Sequence, residues 1–207
     1  MANVVIEPRR SALLLQDLQN ELLKGNRPVV PLNGAQLIAN CRKLLAKARA
    51  TGMPVVHVRV SRRPDLRDVP RPPLGAAAGP GGGPSLIEGT PGAQIVSELA
   101  PRPEDVVVTK HTTSPFNTTD IEVYLRRFGV TTLILTGYST TGVVEGSLRD
   151  ARDKDYDCVV VRDCCAAGTL QEHDTCVDTV FPRMAWVAGV DEVIAAIKGW
   201  YFRPRFG

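Results

Sequence analysis

A three-layer α/β/α domain on a mostly parallel sheet of about six strands is what this chain predicts, from three observations. Short apolar runs recur along the sequence: "SALLLQ", "PVVHVRV", "DVVVTK", "TTLILTG", "DCVVVRD" and "RMAWVAG". Stretches with apolar residues at helical spacing separate several of them. Most of the runs are continuously apolar rather than alternating. Strands of that kind are buried on both faces, and in a parallel sheet crossover helices cover those faces.

Taken in order, the first run ends in a carboxylate, Asp17. "LNGAQLIANCRKLLAKARATG" follows, with Leu37, Ile38, Cys41, Leu44, Leu45 and Ala48 at helical spacing and Gly52 placed to stop the helix. "PVVHVRV" is the second strand and "DVVVTK" the third, closing on Lys110. Thr119 and Glu122 have capping-box spacing ahead of the helix "IEVYLRRFG". The fourth strand runs from Thr131 to Leu135, breaks at Thr136-Gly137 and leads into a helix over residues 141–155. "DCVVVRD" is the fifth strand, 171–181 a further helix, "RMAWVAG" the sixth strand and "VDEVIAAIKGW" the closing helix. Residues 61–90 break this rhythm. Their prolines and glycines exclude a regular element, so they form either a surface excursion or a lid over the site. All of this fits one domain spanning residues 1–207.

Bulk properties exclude several function classes. The net charge is +3, and the densest basic points, Arg62-Arg63 and Arg203/Arg205, are short and lack aromatic interleaving, which argues against nucleic acid. No apolar run approaches the roughly 20 residues a bilayer requires, and the N-terminus lacks an apolar signal core, so a cytoplasmic protein is expected. The five cysteines form no CxxC pair and no regular disulfide framework. His57, His111 and His173 are far apart and build no metal motif, so neither a metal nor another cofactor is expected.

Open parallel sheets bind ligands at the carboxyl ends of their strands. Asp17, Lys110 and the turn 136–143 all fall at such ends. A carboxylate after "ALLLQ" is partly buried, and a buried carboxylate either pairs with a cation or stays protonated. Lys110 supplies that cation if the two strands are neighbours. The pair is then either catalytic or a structural ion pair.

The blocks "LLLQDLQN", "VVVTKHTTSPFNTTDIEVYLRRFGVTTLILTG" and "YSTTGVVEGSLRDARDKDYDCVVVRDCCA" resemble the isochorismatase-like superfamily of hydrolases, and "EHDTCVDTVFPRMAWVAGVDEVIAAI" resembles its last helix-strand-helix. The resemblance covers nearly the whole chain. It implies a three-layer α/β fold, a small-molecule substrate, and a homodimer or homotetramer. In amidohydrolase members an Asp, a Lys and a Cys form the catalytic triad. Asp17 and Lys110 match the first two, but the Cys position is Val143. Valine has no lone pair, so the covalent amidase route is closed there.

Ser139, Thr140, Thr141 and Ser147 offer hydroxyls nearby, but no histidine accompanies these motifs in sequence to serve as base. Cys164 and Cys165 read as core. Isochorismatase-type members are similar in keeping Asp and Lys without needing the thiol; there the Asp protonates the terminal carbon of a vinyl ether and water adds to the oxocarbenium ion. The turn "GYSTTGVV" has the shorter spacing of the amidase branch, which makes isochorismate itself a poor candidate substrate.

The same resemblance implies a cis peptide at Tyr138-Ser139 that aims backbone amides into the pocket. Gly142 either offers an oxyanion-binding amide or permits close packing. Phe116 and Asn117 are candidate pocket residues in the loop after Lys110. His111 points away if strand alternation persists, and His173 caps or packs. The aromatic tail "GWYFRPRFG" docks on its own domain or on a neighbouring subunit.

Three functions follow: a thiol-independent hydrolase of a small, carboxylated molecule using Asp17 and Lys110; a degenerate fold kept for binding or assembly; and an amidohydrolase with a displaced nucleophile.

Overall fold

Each apolar run becomes a strand in the computed structural model, which describes residues 4–69 and 85–198. The strands are β1 (Ser11–Gln16), β2 (Val55–Val60), β3 (Val106–Lys110), β4 (Thr132–Tyr138), β5 (Asp157–Ala166) and β6 (Trp186–Ala188). They form one parallel sheet in the order β3-β2-β1-β4-β5-β6. The α-helices are α1 (Asn20–Leu23), α2 (Gly34–Ala50), α3 (Ile121–Arg127), α4 (Glu145–Asp153), α5 (Leu170–Asp174) and α6 (Val190–Ala196).

Successive strand residues face opposite sides of the sheet, and the core divides accordingly. On one face Leu13, Ile134 and Val159 pack with Leu37 and Leu44 of α2 and Val193 of α6. On the other, Leu14, Leu135 and Val160 pack with Leu125 of α3 and Leu148 of α4. This is the predicted α/β/α layering. All six apolar residues predicted for the buried face of α2 are buried; Asn33 caps the helix through the Gln36 amide at 3.0 Å, and Gly52 ends it at φ +67°.

Local details differ from expectation. Thr119 and Glu122 form no capping box. The Thr119 hydroxyl donates to the Pro115 carbonyl, and the Glu122 carboxylate is taken by Arg126 and Lys154, each at 2.8 Å. Capping boxes form instead at Asn33/Gln36 and Thr169/Glu172. The helix after β4 begins as a π-helical segment, Thr140–Val144, before α4, and a second π-helical segment, Thr175–Val180, follows α5.

Nor does β4 break at Thr136-Gly137. It runs on to Tyr138, with an irregularity against β5 between Leu135 and Gly137. Glycine is what allows the passage. Gly137 has φ +144°, and a Cβ there would lie 2.4 Å from the Gln16 carbonyl oxygen of β1. Gly137→Ala is therefore expected to cost about 3 kcal/mol, read as a lower urea midpoint. An unchanged midpoint would mean that β1 and β4 separate there at little cost.

The strand order reverses at β1, which lies between β2 and β4. Such a reversal leaves a crevice beyond the carboxyl ends of the strands. Asp17 is the residue immediately after β1.

Candidate active site

Asp17 leaves β1 in the left-handed region, at φ +56°, while its N–H donates to the Val58 carbonyl at 2.8 Å. A non-glycine residue adopts this backbone at a cost of roughly 1–2 kcal/mol. Such conformations cluster where the surroundings over-determine a functional group.

Lys110 closes β3, which is not the neighbour of β1: β2 lies between them. The pairing does not depend on adjacency, because the long side chain spans the intervening strand. Its Nζ donates to Asp17 Oδ2 at 2.8 Å and to the Thr112 carbonyl at 3.1 Å. The two side chains are only 2% and 8% exposed. Asp17 Oδ1 has no hydrogen-bond partner among the described residues.

Burial pushes the Asp17 carboxyl up, against the opposing charge and hydrogen bond of Lys110, to about 6. Desolvation thus outweighs the cation. The result is a carboxyl mostly ionised at neutrality but with an appreciable protonated fraction, one oxygen pinned and the other uncommitted.

A cleft of about 270 Å³ opens over this pair, lined also by Tyr138, Ser139, Gly142 and Val143. A larger cavity, about 480 Å³, sits near the amino ends of the strands beside Thr132, Asp157 and Trp186. The site belongs in the smaller one, since the carboxyl edge is where open parallel sheets bind ligands and where the buried charge pair lies.

Val143 is 3% exposed and forms apolar wall beside the acid. The Tyr138–Ser139 peptide is cis. The Tyr138 hydroxyl donates to the Pro28 carbonyl at 2.9 Å. Gly142 does not offer a free amide: its N–H donates to the Ser139 carbonyl at 3.2 Å. A Cβ at Gly142 would meet Ser139 Oγ at 2.7 Å, so the residue serves close packing.

Phe116 and Asn117 do not line the cleft. Phe116 is buried against Tyr156, with ring centroids 6.2 Å apart, and Asn117 Nδ2 donates to Asp150 at 3.1 Å. Thr112 and Thr113 of the same loop line it instead. His111 also lines it rather than pointing away, with Nδ1 2.9 Å from Asp68 Oδ2.

Of the candidate hydroxyls only Ser139 borders the cleft. The Ser147 hydroxyl donates to Gln16 Oε1 at 2.6 Å inside the core. Thr140 Oγ1 lies 3.0 Å from His173 Nδ1, so a histidine does accompany the turn in space, but both residues are buried behind the cleft. Burial pulls His173 below the ordinary histidine range.

All five cysteines are buried, and none lines the cleft. Burial raises Cys158 to about 12, Cys176 to about 11, and Cys165 well above the ordinary thiol value; a hydrogen bond with Cys41, together with burial, does the same for Cys164.

His57 pairs with Asp105 at 3.3 Å, apart from the other two histidines. No group of three or more His, Cys, Asp or Glu among the described residues could hold a metal ion. No helix among the described residues is long and apolar enough to cross a membrane.

Leu22, Arg27, Val60, Arg62, Ser85 and Leu86 complete the cleft lining. The sequence reading did not select them. The described flanks of the Pro/Gly-rich excursion, 61–69 and 85–90, therefore reach the site. Its central part, on which the lid expectation rests, lies outside the described residues, as does the whole aromatic tail.

Residues 11–192 match the isochorismatase domain model. The chain is similar to the uncharacterized isochorismatase family protein YecD of Escherichia coli O157:H7, 29% identical over 93% of this chain and 98% of that protein. It is also similar to the ureidoacrylate amidohydrolase RutB of Agrobacterium fabrum, 29% identical over 94% of this chain and 93% of that enzyme. Among solved structures, an isochorismatase family protein of Burkholderia thailandensis (BTH_II2229) superposes with a TM-score of 0.84 at 32% identity, over 95% of this chain and 99% of that one.

Proposed function

The chain belongs to the isochorismatase family of hydrolases, and from that premise we propose that it cleaves a small, carboxylated molecule without a thiol, using Asp17 as the proton donor and Lys110 as its electrostatic partner. One observation carries this reading: a buried carboxyl raised to about 6, with Oδ2 held by Lys110 and Oδ1 unpartnered among the described residues, at the floor of a cleft walled by Val143.

An acid with a pKa near the working pH is suited to deliver a proton and take it back. A vinyl ether meets that demand. The Asp17 proton passes to the terminal carbon of the double bond, leaving an oxocarbenium ion stabilised by the ether oxygen. Water adds to that ion. The proton that the added water loses restores Asp17, and the neutral hemiketal collapses to a carbonyl compound and an alcohol. Lys110 holds the carboxylate in place between the two transfers and offsets its charge. Val143 keeps the wall apolar. No nucleophile is consumed.

The pH profile tests this with a panel of vinyl ethers, amides and esters. A proton donor with a pKa of about 6 gives a kcat/KM that is level at low pH and falls roughly tenfold per unit above it. A profile that rises through the same range would make Asp17 a base and overturn the assignment. No turnover on any member of the panel would leave a binding protein.

A further inference from the structure

We infer that Arg27 and Arg62 form an anion subsite at the rim of the cleft, which takes the substrate's carboxylate while the reacting carbon sits over Asp17; this rests on the hydrolase reading above and names how its substrate is chosen. Both arginines line the cleft that contains Asp17 and Lys110. They come from different parts of the chain, Arg27 from the loop after α1 and Arg62 from the segment after β2.

Each sits on backbone that is tied down. The Arg27 loop is held by the Tyr138 hydroxyl on the Pro28 carbonyl at 2.9 Å and by Val30, which exchanges two backbone hydrogen bonds with Ala167 at 3.1 and 2.9 Å. Arg62 is clamped by its N–H on the Leu86 carbonyl at 3.0 Å and by the Glu88 N–H on its own carbonyl at 2.8 Å. The anchored backbone fixes where each side chain starts, and planar guanidinium forks match a carboxylate.

Their donors are largely unspent. Arg27 Nη2 donates to the Ser85 hydroxyl at 3.2 Å. The half-buried Arg62 guanidinium makes no hydrogen bond or salt bridge with the described residues. Glu21 is the carboxylate that both address. Partial burial raises Glu21, but the Ser85 hydroxyl, the Leu86 amide and the charges of Arg27 and Arg62 outweigh it and hold the carboxyl below its ordinary value. Two guanidinium groups face this one carboxylate, an excess of positive charge that suits an anionic ligand. The lower wall is neutral only while Asp17 and Lys110 are both ionised; the rim keeps its two guanidinium groups in either state of Asp17 and so holds the acid apart from the reacting carbon.

Calorimetric titration of wild type, Arg27→Gln and Arg62→Gln with benzoate, methyl benzoate and inorganic phosphate tests the assignment, alongside phenylglyoxal labelling mapped by mass. Benzoate is expected to bind the wild type and to protect both arginines from labelling. Methyl benzoate is expected to bind at least about tenfold more weakly, and each variant to lose about tenfold in benzoate affinity, since a charge-assisted fork is removed, with thermal midpoints unchanged. Absence of benzoate binding, equal binding of the ester, variants that bind benzoate like the wild type, or a preference for phosphate would each overturn the assignment. None of these readouts needs turnover. Acid binding that depends on both arginines, in a protein that cleaves nothing, would sustain the subsite while the hydrolase reading alone fell.

Discussion

Replacing Val143 by cysteine is expected to create an amide hydrolase, raising amide cleavage at least about a hundredfold over the wild type. Val143 lines the cleft beside the unpartnered Asp17 oxygen and the Asp17–Lys110 pair. The fold therefore already supplies the two partners that a thiol requires. The Asp17 carboxyl, raised to about 6, is mostly ionised at neutral pH and can accept the thiol proton. Lys110 then holds the resulting charges together. The new sulfur replaces branched methyl groups of similar bulk, so little repacking is needed.

Two measurements check this: hydrolysis of the amide panel, and iodoacetamide labelling resolved by mass. The wild type is expected to keep its activity under the reagent, because its five thiols are buried, and thiolate fraction and access control that reaction. The introduced thiol is expected to be alkylated first and to lose activity in step. Wild-type activity that disappears on alkylation with the fold intact would reveal a displaced sulfur nucleophile and sink the thiol-free mechanism.

Asp17→Asn is expected to abolish turnover, by about a thousandfold or more, without loss of stability at neutral pH. The variant leaves a buried ammonium with the Thr112 carbonyl at 3.1 Å and no carboxylate, which is also the state of the wild type when Asp17 is protonated. Because desolvation outweighs the cation at Asp17, ionising it does not offset its burial. Lys110→Met removes the group that lowers the Asp17 pKa, so the carboxyl stays protonated at neutral pH and the fold is spared an uncompensated charge. Activity should fall comparably in both variants.

The sign of the pH dependence is also determined. A carboxyl whose pKa is raised on folding contributes stability at low pH and loses it as pH rises from its ordinary value near 3.8 to about 6. Wild-type stability relative to Asp17→Asn should accordingly fall across that window. Equal stability of the two proteins throughout, from paired urea titrations, would show that the charges are not coupled.

Much of the fold was legible because β1, β4 and β5 are apolar on both sides, which only a covered parallel sheet explains. Asp17 and Lys110 were legible for a related reason: each is a charge at the end of such a run, where burial makes it conspicuous. The strand between them was not legible, since nothing in the composition of β1 or β3 states its neighbour. Loop side chains were the weakest point. Phe116 and Asn117 follow Lys110 closely in sequence, but core contact with Tyr156 and a hydrogen bond to Asp150 draw them elsewhere. Arg62 drew notice only as part of a short basic point and Arg27 drew none, since only the folding of two separate segments brings them to one cleft. The Thr119–Glu122 spacing failed for a local reason, because Pro115, Arg126 and Lys154 each took a group the capping box needed.

The acid and its ammonium partner are 93 residues apart along the chain, and they meet only over a strand that must already be seated between them. The chemistry is thus the last thing assembly can provide. A nascent chain that has not emitted β3, or one whose sheet edge has come unzipped, holds neither the buried Asp17–Lys110 pair nor the cleft above it. Recovery of turnover during refolding would register closure of that long loop and completion of the three-strand edge, while helix content could return well before.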